Sequence, residues 1–207
     1  MKYEVWENLA HKYNNLWVQK YSLGPTRREV LKIVLPLLKE NNKLRILDIG
    51  CGTGQLIKEI SNEYEDVNYL GIDVAENMIK EAKNNNLKNK NIKFKTCPIE
   101  KFNTKDKFDI IICTHAFPYF PNKEEVLKKI YKLSNKNANI VIVNSSTNSL
   151  KDLIINFFLK ATTSKAKYLS IEEMKKLFNI AKLKVNDIRI IRERKYMPTI
   201  ALFHLER

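Results

Sequence analysis

Leu47-Asp48-Ile49-Gly50-Cys51-Gly52-Thr53-Gly54 decides how this chain is read. An apolar run, Leu44 to Ile49, holds an acid one residue before its end, passes into three alternating glycines, and continues as an amphipathic stretch from Gly54 to Glu65. The pattern predicts a strand, a tight loop and a helix. Glycine belongs where the backbone must take a positive φ, or where a ligand lies directly against it. A dinucleotide-binding loop would read G-x-G-x-x-G and carry its third glycine at position 55, where this chain has Gln55. That spacing serves a pyrophosphate at a helix N-terminus. The spacing here is G-x-G-x-G, and the ligand it suits need not carry phosphate.

Outward from the loop, strand-length apolar runs alternate with longer amphipathic stretches, the pattern of an α/β domain with a mainly parallel sheet. Strands are expected at Val67–Ile72, Ile92–Thr96, Phe108–Cys113 and Asn139–Asn144. Helices are expected at Ala75–Asn86, with Met78, Ile79 and Ala82 on one face, and from about Asn122 to Leu133. Continuous apolar runs such as Ile110–Ile112 suit strands buried on both faces. Two helices follow, near Asn148–Lys160 and Ser170–Ala181, the second with Ser170 and Glu173 spaced for a capping box. The last two strands, about Lys184–Ile191 and Thr199–Leu205, are joined by a stretch too short for a parallel crossover and so form an antiparallel hairpin. Before the first strand lie helical segments at about Glu4–Lys20 and Pro25–Leu38. Pro25 suits a helix start, and Pro36 should kink or end its helix early.

Nineteen residues beyond Gly54, the second strand closes on Gly71-Ile72-Asp73. An acid at a strand's carboxyl end, across from a glycine loop, can accept from both ribose hydroxyls of an adenosine. LDIGCGTG followed by GIDVAENMI resembles the cofactor-binding half of the class I S-adenosylmethionine-dependent methyltransferases, of the small-molecule type. The resemblance runs from about Leu44 to the C-terminus. It implies a doubly wound, mostly parallel seven-stranded sheet with an antiparallel last strand, in one domain. Residues 1–40 would form a helical cover, and residues 41–207 a Rossmann-like core with a helical insertion at about 148–168.

The resemblance also implies site residues. S-adenosyl-L-methionine would be held by Asp48, Gly50, Gly52 and Gly54, with Asp48 orienting the loop and the methionine ammonium. Asp73 would take the ribose, with Val74 beside it, and Thr114 would line the methionine end. The place of the usual adenine-binding acid holds Pro98, which leaves adenine to the backbone of Ile99, to apolar packing or to Glu100. Tyr13 sits where family members fold a tyrosine over the cofactor. Trp6 and Trp17 read as a core-facing aromatic stripe.

A sulfonium methyl is already a strong electrophile, so the protein must align the acceptor, exclude water and keep the nucleophile unprotonated. His115, just past the fourth strand, is the candidate base, or else it contacts only the cofactor. Tyr119 is the candidate for orienting the acceptor. His11 and His204 have no partners at metal-ligand spacing, and Cys51, Cys97 and Cys113 lie far apart, so no metal site is expected.

A chain of 207 residues, 44% hydrophobic and 29% charged, can bury a core. No run approaches the ~18 apolar residues of a membrane span, and the first twenty residues lack a leader's apolar stretch, so a cytoplasmic protein is expected. The net charge of +14 comes from lysines spread along the chain, which reads as solvated helix faces. A small-molecule acceptor is expected. A nucleic-acid acceptor is the alternative that the charge invites, although the expected Asn or Asp, two prolines and aromatic do not follow the fourth strand. Cys113 as a nucleophile for carbon methylation lacks its proline partner and reads as a buried strand residue. A third reading puts residues 150–167, apolar with lysines behind, on an anionic membrane surface, while a lid over the substrate is the other use of that insertion.

Overall fold

A computed structural model describes the backbone of residues 4–86, 88–163, 166–192 and 197–207, and their side chains except at 158–163. In chain order, α1 (Glu4–Leu9) leads through a 3₁₀ segment (Ala10–Asn15) and a π-helical turn (Gln19–Leu23) into α2 (Gly24–Glu40). Then come β1 (Arg45–Ile49), α3 (Gln55–Ser61), β2 (Asn68–Asp73), α4 (Glu76–Asn85) and β3 (Ile92–Thr96). A 3₁₀ turn (Ile99–Lys101) precedes β4 (Phe108–Thr114), and a second (Phe117–Tyr119) precedes α5 (Lys123–Leu133) and β5 (Ser134–Ser145). The chain closes with α6 (Leu150–Thr163), α7 (Ile171–Ile180), β6 (Lys184–Ile191) and β7 (Ile200–Glu206).

Among the described residues the strands form one seven-stranded sheet in the order β3-β2-β1-β4-β5-β7-β6. Neighbours from β3 to β5 are parallel, while β7 runs antiparallel to both β5 and β6. The expected mostly parallel sheet with an antiparallel last strand is therefore present. Strand alternation sorts the core into two layers. Leu47, Ile49, Ile111, Cys113, Ile140, Ile142 and Phe203 face α5 and α7. Ile46, Ile110, Ile112, Val141, Val143 and Leu202 face α2 and α3. Asp48 alternates with Leu47 and Ile49, and so points into the α2–α3 layer at the carboxyl end of β1.

Three expectations need correction. The N-terminal segment is not one helix to Lys20 but α1 followed by 3₁₀ and π-helical turns. Trp6 packs with Tyr13 on Ala10, Ala75 and Met78, whereas Trp17 is 58% exposed and belongs to no stripe. Pro36 does not end its helix: α2 continues through it to Glu40. Pro36 and Lys32, whose carbonyl loses its N–H partner, are both exposed, so water can satisfy that carbonyl near the helix end, where few further bonds remain to be lost. In addition, β5 begins five residues earlier than its apolar run, because Ser134 stops α5 by donating from N and Oγ to the Ile130 carbonyl and pairs at once with Phe108.

Candidate functional site

The glycine loop joins β1 to α3 with φ of +73° at Gly50, +53° at Gly52 and +72° at Gly54. A side chain at Gly50 would set its Cβ 2.3 Å from Ala116 Cβ, so contact with the β4 loop demands glycine there as much as φ does. Gly52 differs. Its added Cβ would meet Tyr13 Cε1 at an ordinary 3.7 Å, so the strongly left-handed φ, rather than crowding, selects glycine. Gly54 caps α3 in the left-handed region.

Asp73 ends β2 opposite this loop. Its Oδ2 accepts from Gly52 N–H at 2.9 Å and its Oδ1 from Ala75 N–H at 3.0 Å, which fixes the carboxylate and leaves each oxygen a lone pair. Burial raises its pKa, against the pull of the Ala75, Gly52 and Val74 backbone. Asp48 is the opposite case. It is 1% exposed, and its Oδ1 has no hydrogen-bond partner among the described residues. Burial, then the nearby Asp73, push its carboxyl up to about 7.

A cavity of about 50 Å³ opens beside Asp48, and Asp73 stands behind its Gly52 wall. Asp48, Gly50 and Gly52 wall it from the loop, Thr114 and His115 from the end of β4, and Tyr13 from the cover. Thr26 and Arg27, at the start of α2, complete the wall. Burial and the charge of Asp73 push the Tyr13 phenol well above its ordinary pKa, so it stays a neutral donor. His115 has φ +58°, a region that costs a non-glycine residue energy and is enriched in histidine. It is held there by its N–H to the Val143 carbonyl at 2.6 Å and by Nε2 at 2.8 Å from Thr26 Oγ1. Burial, then Arg27, lower its pKa to about 4, so the ring is neutral near pH 7.

The remaining candidates lie off this cavity. Gly54 packs toward Phe94 and Asn86, Val74 is half-buried behind Asp73, and Ile99 is 2% exposed in the core layer under α5. Tyr119 stands edge-on to Trp6 at 5.4 Å. Glu100 is exposed. Cys113 is fully buried, and burial raises its thiol pKa far from the thiolate a nucleophile needs. His204 bonds Asn139 Oδ1 at 2.7 Å and serves the sheet.

The structure also brings in residues that spacing did not reveal. Arg27 pairs with Glu59 at 2.7 Å and donates to Gln19 Oε1 at 2.9 Å. Thr53 Oγ1 donates to Asn14 Oδ1 at 2.6 Å, tying the loop to the cover. Glu7 accepts from the backbone N–H of Glu76 and Asn77 at 2.7 and 2.8 Å. It thereby caps α4, whose own N-cap, Ala75, has no side chain to do so. Apart from Arg27–Gln19, eight residues apart, each of these contacts joins residues far apart in sequence.

The sheet order, with β7 inserted antiparallel between β5 and β6, and the glycine loop facing an acid at the end of β2 define a methyltransferase-type Rossmann-like fold. The methyltransferase domain family matches residues 40–199, and the chain belongs to that family. It is 27% identical over 128 residues to a malonyl-[acyl-carrier protein] O-methyltransferase of Bacillus cereus, an alignment covering 60% of this chain and 47% of that one. The chain thus spans about half the length of that curated relative. Among solved structures, the plantazolicin methyltransferase BamL in complex with a triazolic desmethylPZN analog and SAH superposes with TM-score 0.76 at 16% identity, covering 100% of this chain and 95% of the other. The magnesium protoporphyrin IX methyltransferase ChlM of Synechocystis PCC 6803 with bound SAH gives 0.75 at 16% identity, covering 100% and 99%.

Proposed function

We propose that this chain, acting as a single domain, transfers a methyl group from S-adenosylmethionine to a small-molecule acceptor. The observation that carries the reading is Asp48 Oδ1, a buried carboxylate oxygen with no donor and no cation bonded to it among the described residues, on the wall of the cavity beside the glycine loop. A buried carboxylate without a counter-charge is costly, and a ligand ammonium there would relieve it. Asp73, already aimed by two backbone N–H groups, offers its free lone pairs to a ribose diol. When bound, the cofactor supplies a sulfonium methyl that is itself electrophilic.

The chain's own part is then alignment and proton handling. His115, neutral and fixed by Thr26, is placed to receive a proton from an acceptor hydroxyl or amine as a base that burial weakens, and Tyr13 and the cover shield the site from water. The names of the relatives, a malonyl-[acyl-carrier protein] O-methyltransferase, a magnesium protoporphyrin IX methyltransferase and a plantazolicin methyltransferase, favour a small or carrier-borne acceptor. A nucleic-acid acceptor has only the net charge behind it. Incubating the protein with methyl-labelled S-adenosylmethionine and a fractionated cell extract tests this. Label in the metabolite fraction is expected, and label confined to RNA or DNA would overturn the acceptor class.

A further inference from the structure

The α6 helix is built inside out. Among its described side chains, the buried ones are polar: Asp152 is 1% and Asn156 4% exposed. Asp152 accepts from Thr199 N–H at 2.9 Å and from Ser149 Oγ at 3.0 Å. Asn156 Nδ2 donates to Thr147 Oγ1 and to the Ser146 carbonyl. Its outward residues are apolar: Leu150 is 76%, Leu153 55%, Ile154 50% and Phe157 68% exposed. These four stand at i, i+3, i+4 and i+7, one continuous stripe of a helix. Among the described residues, seven large apolar side chains are exposed, and four of them fall within these eight positions. Chance scatter of surface hydrophobes does not concentrate them so. A substrate cover would turn such side chains inward, and here the inward face is a hydrogen-bonded polar seat.

We infer that the outer face of α6 docks on an anionic membrane surface. Charge decides the occupant. Between residues 150 and 167 the sequence holds Lys151, Lys160, Lys165 and Lys167 against a single acid, Asp152. That acid is buried and committed to Thr199 and Ser149. The stripe therefore belongs to a segment whose sequence carries an excess of lysines, on a chain of net +14, the combination that holds a helix in the headgroup layer of acidic lipid. No described helix is long and apolar enough to cross a membrane, so the helix lies on the surface. Its position suits this. It follows β5 at the sheet edge that carries the glycine loop, and Lys167 N–H donates to the Pro118 carbonyl, in the turn just beyond His115. Docking would turn the mouth of the site toward lipid.

The inference goes beyond the acceptor reading and does not depend on it, because vesicle partitioning is measured without cofactor. The full chain is co-sedimented with vesicles of phosphatidylcholine containing one quarter phosphatidylglycerol, and with pure phosphatidylcholine. Binding to the acidic vesicles alone is expected, weakening with salt. The double variant Leu153→Ser, Phe157→Ser should bind them about tenfold less tightly while retaining its thermal midpoint and S-adenosylhomocysteine affinity. The control Ile190→Ser, exposed elsewhere at 52%, should bind as the parent does. Absence of binding to acidic vesicles would overturn the inference, as would equal binding by the double variant, which would leave only diffuse charge attraction. Self-association of the parent that the double variant abolishes would make the stripe an interface between copies instead.

Discussion

Asp48 sits at the end of β1 with a carboxyl pushed up to about 7 by burial and by Asp73. Its folded pKa lies above its unfolded one, so the folded chain holds the extra proton between about pH 4 and about pH 7, and stability falls as pH rises through that window. Ligand binding has the opposite sign. An ammonium needs the carboxylate, so S-adenosylhomocysteine affinity should climb from about pH 5 to about pH 7, by up to about tenfold per pH unit, and then level. Asp48→Asn should lose that climb, bind more weakly at about pH 8, and yet melt at a higher temperature there; calorimetry and thermal scans over this range check both signs. Asp73→Ala should weaken cofactor binding by about 1.5–3 kcal/mol, the scale of hydrogen bonds to a charged group, and unchanged affinity would place the ribose elsewhere. Both acids are legible in the sequence, because each lies at or one residue before the end of an apolar run and two residues from a glycine. Thr26, 89 positions from the His115 it holds, has no such local signal.

At the scale of elements, residues 4–15 of the cover rest on the small cluster of Trp6, Ala10, Tyr13, Ala75 and Met78, and polar contacts tie them down on either side. Glu7 caps α4 and Asn14 takes the Thr53 hydroxyl, so the Tyr13 segment is closed over the loop through polar contacts that water can replace. Removing the cap with Glu7→Ala should destabilise the fold by about 0.5–2 kcal/mol. It should also speed amide exchange in residues 4–15 more than in the sheet, with faster release of S-adenosylhomocysteine in stopped flow. Equal exchange in parent and variant would mean that the cover is anchored elsewhere. Strand and helix existence were readable from apolar periodicity, and the capping box at Ser170 and Glu173 forms as its spacing predicts. The break of the first helix was not readable, because no proline or glycine interrupts residues 4–20; the 3₁₀ segment turns where it meets α4 and Thr53, and the π turn closes where Gly24 packs on the Gln19 carbonyl. Periodicity also reported that α6 is amphipathic but not which way it faces, since only the buried partners of Asp152 and Asn156 decide that.

For the whole molecule, a mostly parallel sheet was legible from the alternation of strands and helices, and the short final connection implied an antiparallel pair, whereas the switch that sets β4 beside β1 rather than β3 has no local signal. The net charge of +14 acts at this scale too. Self-repulsion of like charges should be relieved by screening, so the thermal midpoint should rise as salt is added from low ionic strength. Exposed pairs such as Lys80–Glu76 and Lys128–Glu124 oppose this only weakly. A midpoint that falls with salt would show that the ion pairs dominate instead. The central claim is that the loop of Gly50, Gly52 and Gly54, with Asp48 and Asp73 facing it, is a site for S-adenosylmethionine. Titration calorimetry of the intact chain with S-adenosylhomocysteine and, separately, with NAD tests it most directly. Saturable binding of S-adenosylhomocysteine, weakened by Asp73→Ala, with no heat from NAD is the result expected; binding of NAD without S-adenosylhomocysteine would contradict the account.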